Sequence, residues 1–248
     1  MKEYREPFLG GGSVFFWARA NKYSKYFWIN DAYRDLVVFY QQMSDPKIVP
    51  QVQDALREIY HMVHGKPDVA RQWFNVIKTQ IATTDDLAIV AHHFYYLNRV
   101  TFSGTTEAGG FTEHASQGRF TLSGINLLTH LPEALKDVYI SNRDALDLVR
   151  EPGTRVFLFL DPPYFQSKKL YGKKGVLHDF DHEALAVELA KTKHKFLLTY
   201  DDCAEVRELY QWANIRMWSK KYGMTNVGGK SSKSGAELFI SNYPLEAA

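Results

Sequence analysis

Val156-Phe157-Leu158-Phe159-Leu160 runs directly into Asp161-Pro162-Pro163-Tyr164. Five apolar residues followed by two prolines read as a buried strand that stops abruptly. Each proline fixes its own φ and keeps the residue before it extended, so the loop beyond the strand is stiff. The Asp161 carboxylate, the backbone carbonyls and the Tyr164 ring are therefore expected in a set geometry. Ligands of open α/β sheets bind beyond the carboxyl ends of the strands, which is where this loop falls. A proline-rich turn that merely caps a strand would read the same in isolation.

Working outward, Lys195 to Tyr200 carries a second strand signal, and the helical stretch from about His182 to Lys191 lies between the two. That is the crossover a parallel sheet requires. Upstream, Val138-Tyr139-Ile140-Ser141 reads as another strand. Near the start, Glu6-Pro7-Phe8-Leu9-Gly10-Gly11-Gly12-Ser13 runs into a helical pattern from Val14 to about Ala20. The aromatic strand Tyr26-Phe27-Trp28-Ile29-Asn30 follows, ending at Asp31, and the whole is a βαβ unit. At the other end, Ile215 to Lys220 and Glu237 to Tyr243 alternate like an antiparallel pair joined by a Gly/Ser/Lys-rich loop.

Between about Asp35 and Asn98 apolar residues recur at three- and four-residue spacing, as in Leu56, Ile59, Tyr60 and Val63. Thr101 to Phe120 has no usable period and reads as an ordered loop or short hairpin. The expected fold is α/β: a Rossmann-like, mostly parallel sheet with an antiparallel C-terminal hairpin, plus a helical insert. Its catalytic domain is expected at 1–40 and 131–248, with the insert at 41–130.

Composition narrows the class. The 248 residues carry a net charge of +2, with 45% hydrophobic and 23% charged residues, which suits a soluble globular protein. No apolar run approaches the ~20 residues of a membrane span, and the charged start MKEYRE does not read as a signal peptide. One cysteine, Cys203, excludes an internal disulfide and a cysteine-based zinc cluster, and fits a reducing cytoplasm. The nine histidines show no HExxH spacing, so no metal is expected.

The chemistry suggested by Asp161-Pro162-Pro163-Tyr164 is specific. The amino nitrogen of adenine or cytosine is a poor nucleophile because its lone pair is delocalised into the ring. A carboxylate and a backbone carbonyl, each accepting one N–H, would favour a pyramidal nitrogen, and a stacked aromatic ring would hold the base. Such a base must first leave the helix. The glycine turn fits no nicotinamide or P-loop pattern, since Phe15 stands where a third glycine of GxGxxG would fall. It would instead let a cofactor lie against backbone, with Asp31 at the end of the next strand able to accept ribose hydroxyls.

Together, Pro7-Phe8-Leu9-Gly10-Gly11-Gly12-Ser13, Asn30-Asp31, Leu97-Asn98-Arg99 and the Asp161 tetrapeptide resemble the Dam-type DNA N6-adenine methyltransferases. The resemblance extends over nearly the whole chain, in the order cofactor loop, recognition insert, catalytic loop. It implies S-adenosylmethionine as cofactor, contacted by Phe8, Gly10, Gly12, Asp31, Asp144 and Asp161. It implies Asp161, Pro162, Pro163 and Tyr164 as the catalytic set at a flipped adenine in double-stranded DNA, with a monomer as the expected state. N4-cytosine methylation, RNA amino-methylation and a catalytically impaired DNA-binding homologue are the competing readings.

Two departures from the family pattern bear on function. Family members carry an N-terminal segment ending in a lysine-bearing GGK motif, whereas this chain starts at the cofactor strand. Either the start codon is assigned late, the segment is lost, or another lysine substitutes; if those contacts are gone, a weak hold on cofactor is expected. In the insert, Phe102-Ser103-Gly104-Thr105-Thr106-Glu107 places a carboxylate where a guanine-reading arginine is usual. Glu107 offers only acceptors and suits the cytosine N4 amino group, so a site other than GATC is expected unless Arg99 or Arg119 makes the guanine contact. Phe102 is a candidate wedge into the duplex, while Tyr95 and Tyr96 are expected to be buried in the insert. Lys168, Lys169, Lys220 and Lys221, from two lysine clusters, are candidate phosphate contacts.

Overall fold

The computed structural model describes residues 1–101, 109–165, 180–221 and 234–245. The chain forms two compact units, one of Met1–Asn30 with Arg143–Ala248 and the other of Asp31–Asn142.

The first unit is built on β1 (Glu3–Glu6), β2 (Tyr26–Asn30), β4 (Val156–Leu160), β5 (Lys195–Asp201), β6 (Asn214–Lys221) and β7 (Ser234–Ser241). Side by side they run β2-β1-β4-β5-β7-β6. The first four are parallel, and β7 joins β5 antiparallel, as β6 does β7. This is the mostly parallel, Rossmann-like sheet with a terminal antiparallel hairpin that the sequence implies. Helices α1 (Ser13–Ala20), α9 (Ala145–Arg150), α10 (His182–Lys191) and α11 (Ala204–Leu209) connect the strands. Leu158, Leu160, Phe196, Leu198 and Ile240 from the strands pack with Leu185, Leu189 and Val206 from helices in one apolar core. Leu158 and Leu160 on one face of β4 and Phe159 on the other are all buried, as expected for a strand covered on both faces.

Central strand β1 carries an unusual buried cation. Arg5 is 1% exposed. Its guanidinium donates to Glu3 at 2.6 Å and to the carbonyls of Leu148 (2.9 Å), Glu151 (2.5 Å) and Pro152 (3.0 Å). A buried charge is tolerable only when its donors are satisfied, and here the three bonds to Leu148, Glu151 and Pro152 tie β1 to the end of α9.

The second unit is helical, and the 3.6-residue periodicity seen upstream of Asn98 resolves into four helices. They are α2 (Arg34–Met43), α3 (Val49–Val63), α4 (Pro67–Gln80) and α5 (Leu87–Val100). Asp86 caps α5 by accepting from the amides of Ala88 and Ile89. Phe39 packs against Phe94 and Tyr95 in its core. The segment from Thr101 to Phe120 contains an isolated antiparallel bridge, Thr101 to Phe111, and the short helix α6 (Glu113–Gly118). Helices α7 (Leu122–Leu127) and α8 (Leu131–Leu135) and strand β3 (Val138–Ser141) complete the unit. Among the described residues, no helix is long and apolar enough to cross a membrane.

Candidate active site

Strand order fixes where a site can form. From β1 the chain moves to β2 on one side, whereas β4 lies on the other side of β1. Loops leaving the carboxyl ends of β1 and β4 diverge, and a crevice opens at that switch point. The glycine turn leaves β1, and Asp161-Pro162-Pro163-Tyr164 leaves β4, so the two strongest sequence signals flank one crevice.

The glycine turn is shaped for backbone exposure. Gly10 and Gly12 have φ of 48° and 68°, a region that side-chain-bearing residues rarely adopt. A Cβ added at Gly10 or Gly11 would meet nothing within 4 Å, whereas at Gly12 it would lie 3.1 Å from the Phe16 ring. The turn thus presents bare backbone to open space on one side and packs closely on the other. The Gly12 amide donates to Leu9 O at 2.8 Å, and Gly12 O accepts from Phe16, which starts α1.

Asn30 holds this turn in place. Its buried side chain donates to Pro7 O (3.1 Å) and Arg143 O (3.0 Å) and accepts from the Arg143 amide (2.9 Å). Its backbone oxygen accepts from Leu9 at 2.9 Å. One amide side chain therefore joins the loops after β1 and before α9. Phe8, partly buried in the same loop, meets the Phe180 ring edge-on with centroids 5.4 Å apart.

Asp161 sits just past β4 and is exposed, while Pro162 and Pro163 are buried. The Thr199 hydroxyl, on β5, lies 2.5 Å from Asp161 Oδ1 and 3.2 Å from Leu160 O. A hydroxyl has one proton, and the shorter, charge-assisted bond to the carboxylate takes it. Glu6, 2% exposed at the end of β1, lies within electrostatic reach of Asp161. Burial pushes the Glu6 carboxyl up to about 8; a hydrogen bond from Tyr4 opposes the rise, the Asp161 charge adds to it, and the Phe15 amide opposes it. Glu6 therefore holds a proton at neutral pH.

The far end of the loop is clamped through aromatic packing. The Phe165 amide donates to Asp201 Oδ1 at 3.0 Å. Tyr164 and Tyr200 have ring centroids 6.3 Å apart, and the His182 ring touches those of Phe165, Phe180 and Tyr200. His182 Nδ1 and the Tyr200 hydroxyl share a 2.5 Å hydrogen bond. Burial raises the Tyr200 phenol far above its usual value, so it keeps its proton.

The other residues expected in the site are placed as follows. Asp144 caps α9, accepting from Leu146 at 2.8 Å, and is otherwise exposed. Asp31 opens the second unit; its Oδ1 accepts from the Tyr33 amide at 2.9 Å, and its backbone oxygen accepts from Asn142 at 2.8 Å. Within that unit Tyr95 and Tyr96 are buried, as their helical setting implies. Arg99 lies over the Tyr95 ring at 5.1 Å, and Arg119 donates to Thr101 O (3.1 Å) and Asn98 O (3.2 Å). Phe102, Glu107, Lys168 and Lys169 lie outside the described residues, as do the side chains of Lys220 and Lys221 at the end of β6. Among the described residues no cluster of three or more His, Cys, Asp or Glu could hold a metal ion.

Sequence reasoning missed Glu6, Asn30's side-chain role, Thr199, His182 and Asp201. Glu6 and Asn30 stand at the edges of the quoted motifs, but nothing in the charged strand sequence Glu3-Tyr4-Arg5-Glu6 marked Glu6 as a buried group beside the site. Thr199 and His182 carried no local signal, since their partners are 38 and 18 residues away.

Comparison with known proteins agrees with this geometry. The family model for D12 class N6 adenine-specific DNA methyltransferases matches residues 1–224. The Type II methyltransferase M.MjaIII of Methanocaldococcus jannaschii is 26% identical over 264 aligned positions, covering 98% of this chain and 89% of that protein.

Proposed function

The chain belongs to the D12 class of N6 adenine-specific DNA methyltransferases, and from that premise we propose that it methylates N6 of an adenine flipped out of duplex DNA. The observation that carries this reading is the placement of Asp161, bonded to Thr199 and set against the protonated Glu6, across the sheet's switch point from the open glycine turn. One wall is shaped for backbone contact with a cofactor, and the other bears a fixed carboxylate with an aromatic ring beside it.

S-adenosylmethionine, when bound, supplies an electrophilic methyl group. The glycine turn fits such a molecule because Gly10 and Gly11 leave their Cβ directions empty. Phe8, Gly10, Gly12, Asp31 and Asp144 are the residues proposed to hold it. Asp161 accepts one N–H of the adenine amino group and the loop backbone accepts the other, which localises the nitrogen lone pair away from the ring. Tyr164 stacks on the base. As the N6–carbon bond forms and the methyl–sulfur bond breaks, with the electron pair leaving on the sulfur of S-adenosylhomocysteine, positive charge grows on N6; the Asp161 carboxylate would stabilise it and accept the proton that leaves. The two buried prolines keep that carboxylate from reorienting during the step.

The test is transfer of a tritiated methyl group to DNA by the purified protein, followed by nucleoside analysis. N6-methyl-2′-deoxyadenosine as the labelled nucleoside is the expected result. Label in N4-methylcytosine, or in RNA and not DNA, would replace the substrate assignment. No transfer at saturating cofactor would favour a catalytically impaired DNA-binding protein.

A further inference from the structure

The amino ends of the same strands carry a feature that the base pocket does not explain. Lys2 precedes β1, Lys25 precedes β2, Arg155 precedes β4, and Lys195 opens β5, with Lys22 and Lys193 in the adjoining turns. All six are exposed. Backbone pairing makes them neighbours: the Lys2 amide donates to Arg155 O, Lys2 O accepts from Tyr26, and Phe157 is in register with Lys195. None of the six is ion-paired among the described residues, and the neighbouring Glu3 carboxylate is taken by Arg5.

Aromatic rings lie among these charges. Trp17, Tyr23 and Tyr26 are 55%, 52% and 49% exposed, more than folding normally leaves for such rings. Trp17 and Tyr23 lie 5.2 Å apart, and the Lys25 and Lys195 ammonium groups sit over the rings of Tyr26 and Tyr243 at 5.2 and 5.6 Å. Unpaired cations interleaved with exposed aromatic faces suit a strand of phosphates and bases. Five-residue β4 separates this end from the Asp161 end by roughly 15 Å, and the two ends face opposite ways.

We propose that the amino-end face of the sheet is a second DNA contact, which grips the phosphates of a segment other than the one that presents its base to Asp161. Charge complementarity selects the occupant, because each phosphate neutralised here releases condensed counterions. The proposal rests on the proposed function for the first DNA segment, held at the Asp161 end, and not on methyl transfer there, so retention of the first duplex tests that reading separately from capture of the second.

The experiment uses the full chain and two duplexes, one immobilised and one fluorescently labelled. The wild-type protein is expected to capture the labelled duplex on the immobilised one. The variant with Lys22→Glu, Lys25→Glu and Lys195→Glu is expected to keep the first duplex and its melting temperature but to lose capture of the second. Loss of three phosphate contacts should also lower the slope of log affinity against log salt for the second duplex by about 2–3. Failure of the wild type to capture a second duplex, or equal capture by the folded variant, would overturn the proposal. So would loss of the first duplex as well, which would make this face the primary DNA contact.

Discussion

Thr199 Oγ1 donates a 2.5 Å hydrogen bond to Asp161 Oδ1, joining β5 to the loop that leaves β4. A carboxylate so bonded has one oxygen fixed, which is what a positioned acceptor needs. Thr199→Val keeps the shape and removes the bond. A hydrogen bond to a charged group contributes ~1.5–3 kcal/mol, so turnover should fall about 10- to 100-fold if that strength is expressed at the transition state. Thr199→Ser should restore most of it, with KM for DNA little changed in both. Equal turnover for Thr199→Val and wild type would remove Thr199 from the positioning of Asp161.

Asp161→Ala should abolish methyl transfer while leaving the fold intact. The residue is exposed at a loop, so its loss makes no core cavity, and the melting temperature should move little. Removing a group that stabilises developing charge costs on the order of 10²–10³ in turnover, and more where it also orients the nucleophile. Tyr164→Ala should weaken both base capture and turnover. A well-folded Asp161→Ala protein with near-normal methylation would sink the assignment.

What could be read from the sequence followed the range of its causes. Strands β4 and β5 and helix α10 are written in local apolar patterns, and their observed limits match the expected ones within a residue. Helix α6 escaped notice because six residues are too few to show a 3.6-residue period, although Thr112 caps it by accepting from the Ala115 amide. The glycine turn and the Asp161 loop were legible because their backbone demands specific residue types. Their supports were not: Asn30 reaches Arg143, and Thr199 reaches Asp161, through contacts that exist only once the sheet is assembled.

Asp31 directly follows Asn30, the residue that ties down the glycine turn. If it accepts the ribose hydroxyls of the cofactor, Asp31→Ala should lower S-adenosylmethionine affinity about 10- to 100-fold, the cost of one or two charge-assisted hydrogen bonds. Titration calorimetry reads this directly. Asp31→Asn, which keeps an acceptor and the turn to Tyr33, should lose less. Affinity indifferent to both changes would place the cofactor's ribose on another group.

Arg119 offers a discriminating case within the helical unit. Its guanidinium donates to the carbonyls of Thr101 and Asn98, at the end of α5. Arg119→Ala should therefore lower stability, by about 1–3 kcal/mol, as buried acceptors lose a charged donor. A DNA-reading arginine would behave in the opposite way, with unchanged melting and weakened, less selective binding. Thermal melting and DNA affinity measured on the same variant separate the two roles.

Glu6 gives the protein a pH dependence of stability with a defined sign. In the unfolded chain its carboxyl has the ordinary value of 4.5; in the folded protein burial is the main force raising it to about 8, with the Asp161 charge adding to the rise. Below 4.5 both states are protonated and Glu6 costs nothing. Between 4.5 and 8 the unfolded chain gives up the proton while the folded protein keeps it, so rising pH favours unfolding. Above about 8 both are ionised and the full penalty stands. Glu6→Gln cannot ionise, and its carbonyl can still accept from Tyr4. Its stability relative to wild type should therefore grow across this window, reaching on the order of a few kcal/mol near pH 8. Replacing Asp161 by asparagine removes one raising charge, so in Asp161→Asn the upper edge of the window should move to lower pH. Urea unfolding of the three proteins from pH 5 to 9 measures both effects. Parallel stability curves for wild type and Glu6→Gln would show that Glu6 is ionised in the folded protein, and that Asp161 has a second negative charge as its neighbour.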